Sequence, residues 1–275
     1  MSSIATVAAV QDHYDRLSTM YDLWWGEHLH HGYWESDGDS PQAQVKLVEV
    51  LASEARISRD SKVLDVGCGL GGSAVWLARN LGCRVHGITI SPVQARLAAS
   101  RAVAAGLEST VNFEVMDAQR LGFPAAGFDA VWTIECLEHL EEKQAFFENA
   151  ARLLRPGGKL AVCAWLAADE PDARQAELLR HVCDGMVCPS LASMNDHLRW
   201  IRGAGFNAIT GHDLTNQVKR TWDRCEAIVR RPELQVFLKA TKRSVRDFVN
   251  AFPLMRQAYE SGAMRYGMFT GRMPG

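Results

Sequence analysis

The chain has 275 residues, is 47% hydrophobic and carries a net charge of -2. That length fits one domain with insertions, and the near-neutral balance offers no bulk attraction to nucleic acid. No run of about 18 apolar residues is present to span a membrane. Residues 1–10 lack a basic n-region, and the seven cysteines are scattered with no C-x-x-C pair, so reduced thiols in a cytoplasmic protein are expected.

Residues 4–23 read as a helix that frays into a loop, carrying Tyr14-Asp15 and Tyr21-Asp22. Next comes W-W-G-E-H-L-H-H-G-Y-W at 24–34, with three histidines and four large aromatics in eleven residues. The favoured reading is an aromatic lid over a small-molecule site, which would exclude water and offer ring faces to a cation. A plain hydrophobic clamp is the structural alternative. A metal site is disfavoured, because H-x-H-H has no carboxylate at helical spacing. The same segment is a candidate surface for self-association.

Ser40-Pro41 reads as an N-cap followed by proline at the first helical position, so a helix starts there and reaches about 56. Residues 63–66 are a short β-branched apolar run interrupted by Asp65, which reads as a buried strand with a polar duty at its end. Gly67, Gly69, Gly71 and Gly72 then turn the chain into an amphipathic helix. Such a turn allows φ > 0, close backbone approach to a ligand, and free N–H groups at the helix start.

Further strands are expected at 84–90, 110–116, 128–134 and 159–165, with helices at 92–105 and 141–154 between them. Ser91-Pro92 caps the first of these helices, and Arg155-Pro156-Gly157-Gly158 stops the second. Strands alternating with helices at this spacing predict an α/β fold, a doubly wound and mostly parallel sheet. Helices follow at 171–184 and 194–203, a sixth strand at 206–213, then helices over 216–258 broken at Pro232 and Pro253. A last strand covers 263–271. The basic residues between Lys219 and Arg246 are interleaved with acids and apolar residues and read as a solvated face, with a diphosphate or anionic-substrate clamp as the minority reading.

Ligands of open α/β sheets bind at the carboxyl ends of the strands. Here those ends hold 65–71, 89–94, Asp117-Ala118 and 133–139. Gly67-Cys68-Gly69-Leu70-Gly71 is G-x-G-x-G behind Asp65, not the G-x-G-x-x-G of a dinucleotide site. It resembles the first motif of class I S-adenosylmethionine (SAM)-dependent methyltransferases. The G-I-T-I-S-P-V-Q stretch at 87–94 resembles a narrower group, the tocopherol methyltransferases with the related sterol methyltransferases and cyclopropane fatty acid synthases. Asp15 with Tyr21-Asp22, H-H-G-Y-W at 30–34 and Glu135-x-x-Glu138-His139 resemble the same group, and Met264-Arg265-Tyr266-Gly267 looks like its last strand.

The resemblance implies a Rossmann-like seven-stranded sheet with an antiparallel last strand, an N-terminal helical segment and a helical insertion near the C-terminus. Residues 1–40 would form the helix and lid, 41–170 the SAM-binding core, and 171–275 the cap with the last two strands. It places Gly67 and Gly69 along the methionine part of SAM, next to Asp65. Thr89, Ile90 and Gln94 would hold ribose and an adenine edge. Asp117 and Ala118 would meet the adenine amino group, Tyr33 the methionine carboxylate, and Thr133 would lie in the same crevice. Asp accepts from an amine and Ile offers a ring an apolar face, so these types suit their places.

SAM carries the reactive methyl, so positioning supplies much of the rate. A phenol or ring carbon also needs a base, and an alkene needs a carboxylate or aromatic faces to guide a carbocation. Glu135, Glu138 and His139 sit where such groups belong and are the catalytic candidates, although a helix N-terminal acid and a structural histidine would look the same. The expected activity is methyl transfer to a hydrophobic small molecule, with carbon methylation of an isoprenoid or aromatic natural product leading and O- or N-methylation as the alternative. An NAD-dependent oxidoreductase fits the glycine spacing poorly, and an inactive SAM-binding regulator gains no support from an intact glycine turn.

Overall fold

The computed structural model describes residues 6–36, 38–240 and 243–275. Its helices are α1 (Val7–Trp24), α2 (Ser40–Glu54), α3 (Gly72–Leu81), α4 (Pro92–Ala104), α5 (Lys143–Leu153), α6 (Ala173–Met186), α7 (Met194–Gly203), α8 (Thr215–Val218), α9 (Thr221–Val229), α10 (Pro232–Ala240), α11 (Arg243–Asn250) and α12 (Phe252–Glu260). The strands are β1 (Lys62–Val66), β2 (Arg84–Thr89), β3 (Val111–Val115), β4 (Phe128–Ile134), β5 (Leu154–Ala167), β6 (Asn207–Asp213) and β7 (Met264–Arg272).

The strands form one seven-stranded sheet in the order β3-β2-β1-β4-β5-β7-β6. Strands β1 to β5 are parallel, and β7 runs antiparallel to both β5 and β6. Strand β1 pairs on both sides, Asp65 lying opposite Gly87 of β2 and Trp132 of β4. The chain reverses its winding direction between β1 and β4, which opens a crevice at their carboxyl ends.

Side-chain alternation splits the core in two. Val63, Val85, Trp132 and Cys163 face α2, α3 and the C-terminal helices, while Leu64, Val66, Val131, Leu160 and Val162 face α5 and α7. Both faces are covered, so the strands read as continuous apolar runs.

The helix starts follow local chemistry. Thr6 caps α1 and Ser91 caps α4, with Pro92 in its first turn. The cap of α2 is Asp39, one residue before the expected Ser40, because its carboxylate reaches the Gln42 N–H at 2.9 Å. Helix α1 starts at Val7, while Ile4 lies outside the described residues. Arg155–Gly158 does more than stop α5. It opens β5 early, as a shift in the β4 register between Phe128 and Ala130. Among the described residues the 216–258 stretch holds five helices, and Pro232 and Pro253 lie in the first turns of two of them. Among the described residues no helix is long and apolar enough to cross a membrane.

Candidate active site

Two cavities adjoin at the β1/β4 crevice. The first, about 940 Å³ and partly open to solvent, is lined by Asp65, Gly67, Cys68, Gly69, Gly72 and Ser73, by Thr89, Ile90 and Gln94, and by Asp117 and Ala118. Helix α1 closes one side with Val7, Val10 and Tyr14. It is tied down at its middle and near its C-terminal end: Ser91 Oγ donates to Asp15 at 2.5 Å, and Arg101 pairs with Asp22 at 2.5 Å. Arg101 also donates to the Leu70 carbonyl of the glycine turn.

The glycines are needed for different reasons. Gly67 has φ +75°, and a Cβ there would lie 2.5 Å from Cys136 Cβ. Gly69 has φ +54°, but a Cβ there would meet only Leu29, at 3.7 Å, so its open side faces the cavity.

Two buried polar atoms in the wall lack protein partners. Asp65 Oδ2 is one, and burial pushes that carboxyl up to about 7. Gln94 Nε2 is the other, its Oε1 being taken by the Thr89 hydroxyl at 2.6 Å. Buried polar groups seek partners, so this wall is built for a polar ligand.

Tyr33 and Thr133 depart from expectation, because neither lines this cavity. Tyr33 packs on the core near α2, with its N–H bonded to the Ala43 carbonyl at 2.7 Å, and Thr133 is fully buried in β4. Glu27, His28, Leu29 and His30 stand in the wall instead.

The second cavity, about 660 Å³, shares Tyr14, Leu29, His30, Glu135 and His139 with the first. The rest of its wall is chiefly aromatic and includes Tyr21, Trp165, Trp222, Phe248 and Phe252.

Glu135 sits at the junction with φ +53°. Its Oε1 accepts from the His31 N–H (2.8 Å), His31 Nδ1 (3.0 Å) and the Tyr266 hydroxyl (2.7 Å). Burial alone would raise its pKa, but the His31 imidazole and backbone N–H hold it well below the usual carboxylate range. His31 Nε2 receives the Trp222 indole N–H at 2.8 Å. An indole only donates, so His31 carries its proton on Nδ1, toward Glu135.

Glu138 lies on a 3-10 turn, Leu137–His139, rather than at the start of α5. It lines the second cavity alone. Its Oε1 takes the Trp165 N–H, and its buried Oε2 has no partner. Burial, and then the neighbouring Glu135 charge, push it up to about 8. The two carboxyls are therefore split, one ionised and one protonated at neutral pH.

His139 lines both cavities but has no ring nitrogen to spare. Nδ1 bonds the Val187 carbonyl at 3.0 Å and Nε2 the Tyr14 hydroxyl at 2.9 Å. Both bonds hold the ring in place and orient the Tyr14 hydroxyl in the shared wall.

The 24–34 segment is interior. His28, His30, His31 and Trp34 are buried, and Trp34 Nε1 donates to Thr221 Oγ at 3.0 Å. Trp24, Trp25 and Tyr33 are half-buried, and Trp25 lines the second cavity, so the segment forms part of the wall of both cavities. No group of three His, Cys, Asp or Glu among the described residues could hold a metal.

Residues 64–162 match the family of methyltransferase domains. A rice protein described as a probable tocopherol O-methyltransferase is 31% identical over 95% of this chain and 76% of its own length. The chain belongs to the class I SAM-dependent methyltransferases. A 2-methyl-6-phytyl-1,4-hydroquinone methyltransferase of Synechocystis is 32% identical over 93% of this methyltransferase and 86% of its own length. The crystal structure of the [4+2]-cyclase SpnF superposes with a TM-score of 0.86 at 26% identity, covering 98% of this chain and 96% of that one.

The residues of the first cavity fit SAM. Asp65 Oδ2 suits its ammonium, the open side of Gly69 its methionine backbone, and Gln94 Nε2 its ribose or adenine acceptors. SAM supplies an activated methyl group, and the protein supplies its placement.

Proposed function

We propose that this methyltransferase moves the methyl group of SAM onto a carbon of an isoprenoid or isoprenoid-aromatic acceptor held in the second cavity. The observation that carries the reading is the junction itself. A charged carboxylate, Glu135, stands between a polar cavity suited to SAM and an aromatic one suited to a hydrophobic molecule. The two curated relatives support the class, since a tocopherol and a phytyl hydroquinone both join a phenol ring to an isoprenoid chain.

Each residue then has a task. Glu138, poised near neutral pH, accepts the phenolic proton of the acceptor, which raises electron density on the ring carbon that takes the methyl. Glu135 stays ionised and faces the positive charge shared by the sulfonium, the methyl and the acceptor carbon. Trp165 and Trp222 turn ring faces or edges toward the same space and exclude water. For an alkene acceptor the same carboxylates and rings would guide a carbocation.

Residues 41–170 form the SAM-binding core in this reading. The later helices close the acceptor side, with Trp222 on α9, Phe248 on α11 and Phe252 on α12. Seven free thiols suit a reducing compartment such as the cytoplasm. The test is a metabolite extract incubated with methyl-labelled SAM. A prenylated phenol or terpenoid that gains the label on carbon supports the reading, while label on oxygen or nitrogen selects the alternative acceptor atom.

A further inference from the structure

A third cavity, about 590 Å³, lies between the start of α2 and α9. It shares Trp25 and Thr221 with the acceptor cavity, so those two side chains form a common wall. The rest of its lining includes Trp24, Trp34, Arg224 and Arg231, with no carboxylate.

Two buried polar groups in this wall have hydrogen-bonding capacity unspent. Thr221 is 5% exposed, and its Oγ accepts from the Gly32 N–H at 3.1 Å and the Trp34 indole at 3.0 Å. Both lone pairs are used, which leaves the hydroxyl proton to donate. Gln44 is 2% exposed, and its amide nitrogen bonds the His28 and His30 carbonyls at 2.7 and 3.3 Å while its Oε1 has no partner. Arg224 holds its guanidinium 5.5 Å from the Trp34 ring centre and reaches the Gly38 carbonyl only at 3.5 Å. Among the described residues neither Arg224 nor Arg231 has a carboxylate partner. A guanidinium is strongest against an oxyanion, which it can grip with two N–H groups.

We propose that the third cavity is a distal subsite for the acceptor, binding an oxyanion at the end remote from the methylated atom. This rests on the reading that the second cavity holds the acceptor. Arg224 and Arg231 supply the charge and Thr221 a neutral donor. Gln44 Oε1 takes a hydrogen from a hydroxyl of the same molecule or from a water bound with it. The tail passes Trp25, whose ring lines both spaces.

The test uses the protein saturated with S-adenosylhomocysteine and three phenol probes on one decyl tail ending in methyl, carboxylate or phosphate. Calorimetry should show a carboxylate or phosphate probe binding at least about tenfold tighter than the methyl one, the worth of one charge-assisted contact. That advantage should vanish in the double variant Arg224→Gln/Arg231→Gln, whose affinity for S-adenosylhomocysteine should match the wild type and report an intact fold. Equal binding of the three probes, no binding of any, or an advantage that survives in the variant would overturn the subsite. Failure of the wild type to bind S-adenosylhomocysteine would strike the cofactor site instead. The preferred anionic probe tells a carboxylate end from a phosphate end.

Discussion

Replacing Glu138 with glutamine separates acid–base chemistry from pure positioning. Glutamine has nearly the same shape, and its carbonyl oxygen can keep the bond from the Trp165 N–H. It cannot take a proton. With the carboxyl at about 8, roughly a tenth is ionised at pH 7 and about nine tenths at pH 9. The wild-type kcat should therefore climb about tenfold over that interval, limited by this group. The variant should fall about 10²–10⁴-fold and lose the rise. SAM affinity should change little, because Glu138 does not line the first cavity.

Stability gives a second reading of the same group. Its folded pKa lies above the ordinary 4.5, so the stability it contributes is complete below pH 4.5 and lost as pH rises through about 8. Glu138→Gln should therefore melt higher than the wild type above pH 8, where the wild type must bury a charge. The assay is single-turnover methyl transfer across pH, with product analysis, beside melting curves at pH 5 and 9. A variant with the wild-type rate, pH profile and products would refute the reasoning and make Glu135 the carboxylate to test.

Gly69→Val should abolish SAM binding by calorimetry, since its Cβ has room in the protein but its methyls enter the cavity; φ +54° strains a β-branched residue, so a melting curve run beside it should show a lowered but cooperative transition, and unchanged affinity would remove the cofactor assignment. Nitrogen NMR of His31 should show the Nδ1-protonated tautomer in the wild type and a mixture in Trp222→Phe, whereas a proton on Nε2 of the wild type would undo the hydrogen-bond assignment. The amides of His31, Gly32, Tyr33 and Trp34 should resist hydrogen exchange without any ligand, because each is bonded, to Glu135, Thr221, Ala43 and Gln217 respectively; fast exchange that slows only with cofactor would restore the lid.

Much of this architecture was legible in residue order alone. Short apolar, β-branched runs at 63–66, 84–89 and 128–134 mark strands, and Ser91-Pro92 marks a helix start by its own chemistry. Gly67 and Gly69 mark a turn that other residues adopt only under strain. The site was legible where a side chain's duty is local, as at Asp65 or Gln94. It was hidden where the duty depends on distant partners. Nothing in E-x-x-E-H tells that Glu135 meets His31 and Tyr266, or that His139 is spent on Tyr14 and Val187. The density of aromatics at 24–34 was visible, but whether they cover a site or fill the interior depends on α9. That helix brings Thr221 and Trp222 to them from nearly two hundred residues away in sequence. Tyr33, which the family resemblance set near the methionine carboxylate, packs on the core near α2, and no local signal told of that contact.

The central claim is that the two adjoining cavities hand a methyl group from SAM to a carbon of an isoprenoid-aromatic acceptor. A prenylated hydroquinone incubated with methyl-labelled SAM tests it most directly, with label position and released S-adenosylhomocysteine read together. Label should appear on a ring carbon, with one S-adenosylhomocysteine released per product. Bound SAM with no transfer, or an acceptor rearranged without release of S-adenosylhomocysteine, would contradict it and point to the non-transfer chemistry named for the [4+2]-cyclase that shares this fold.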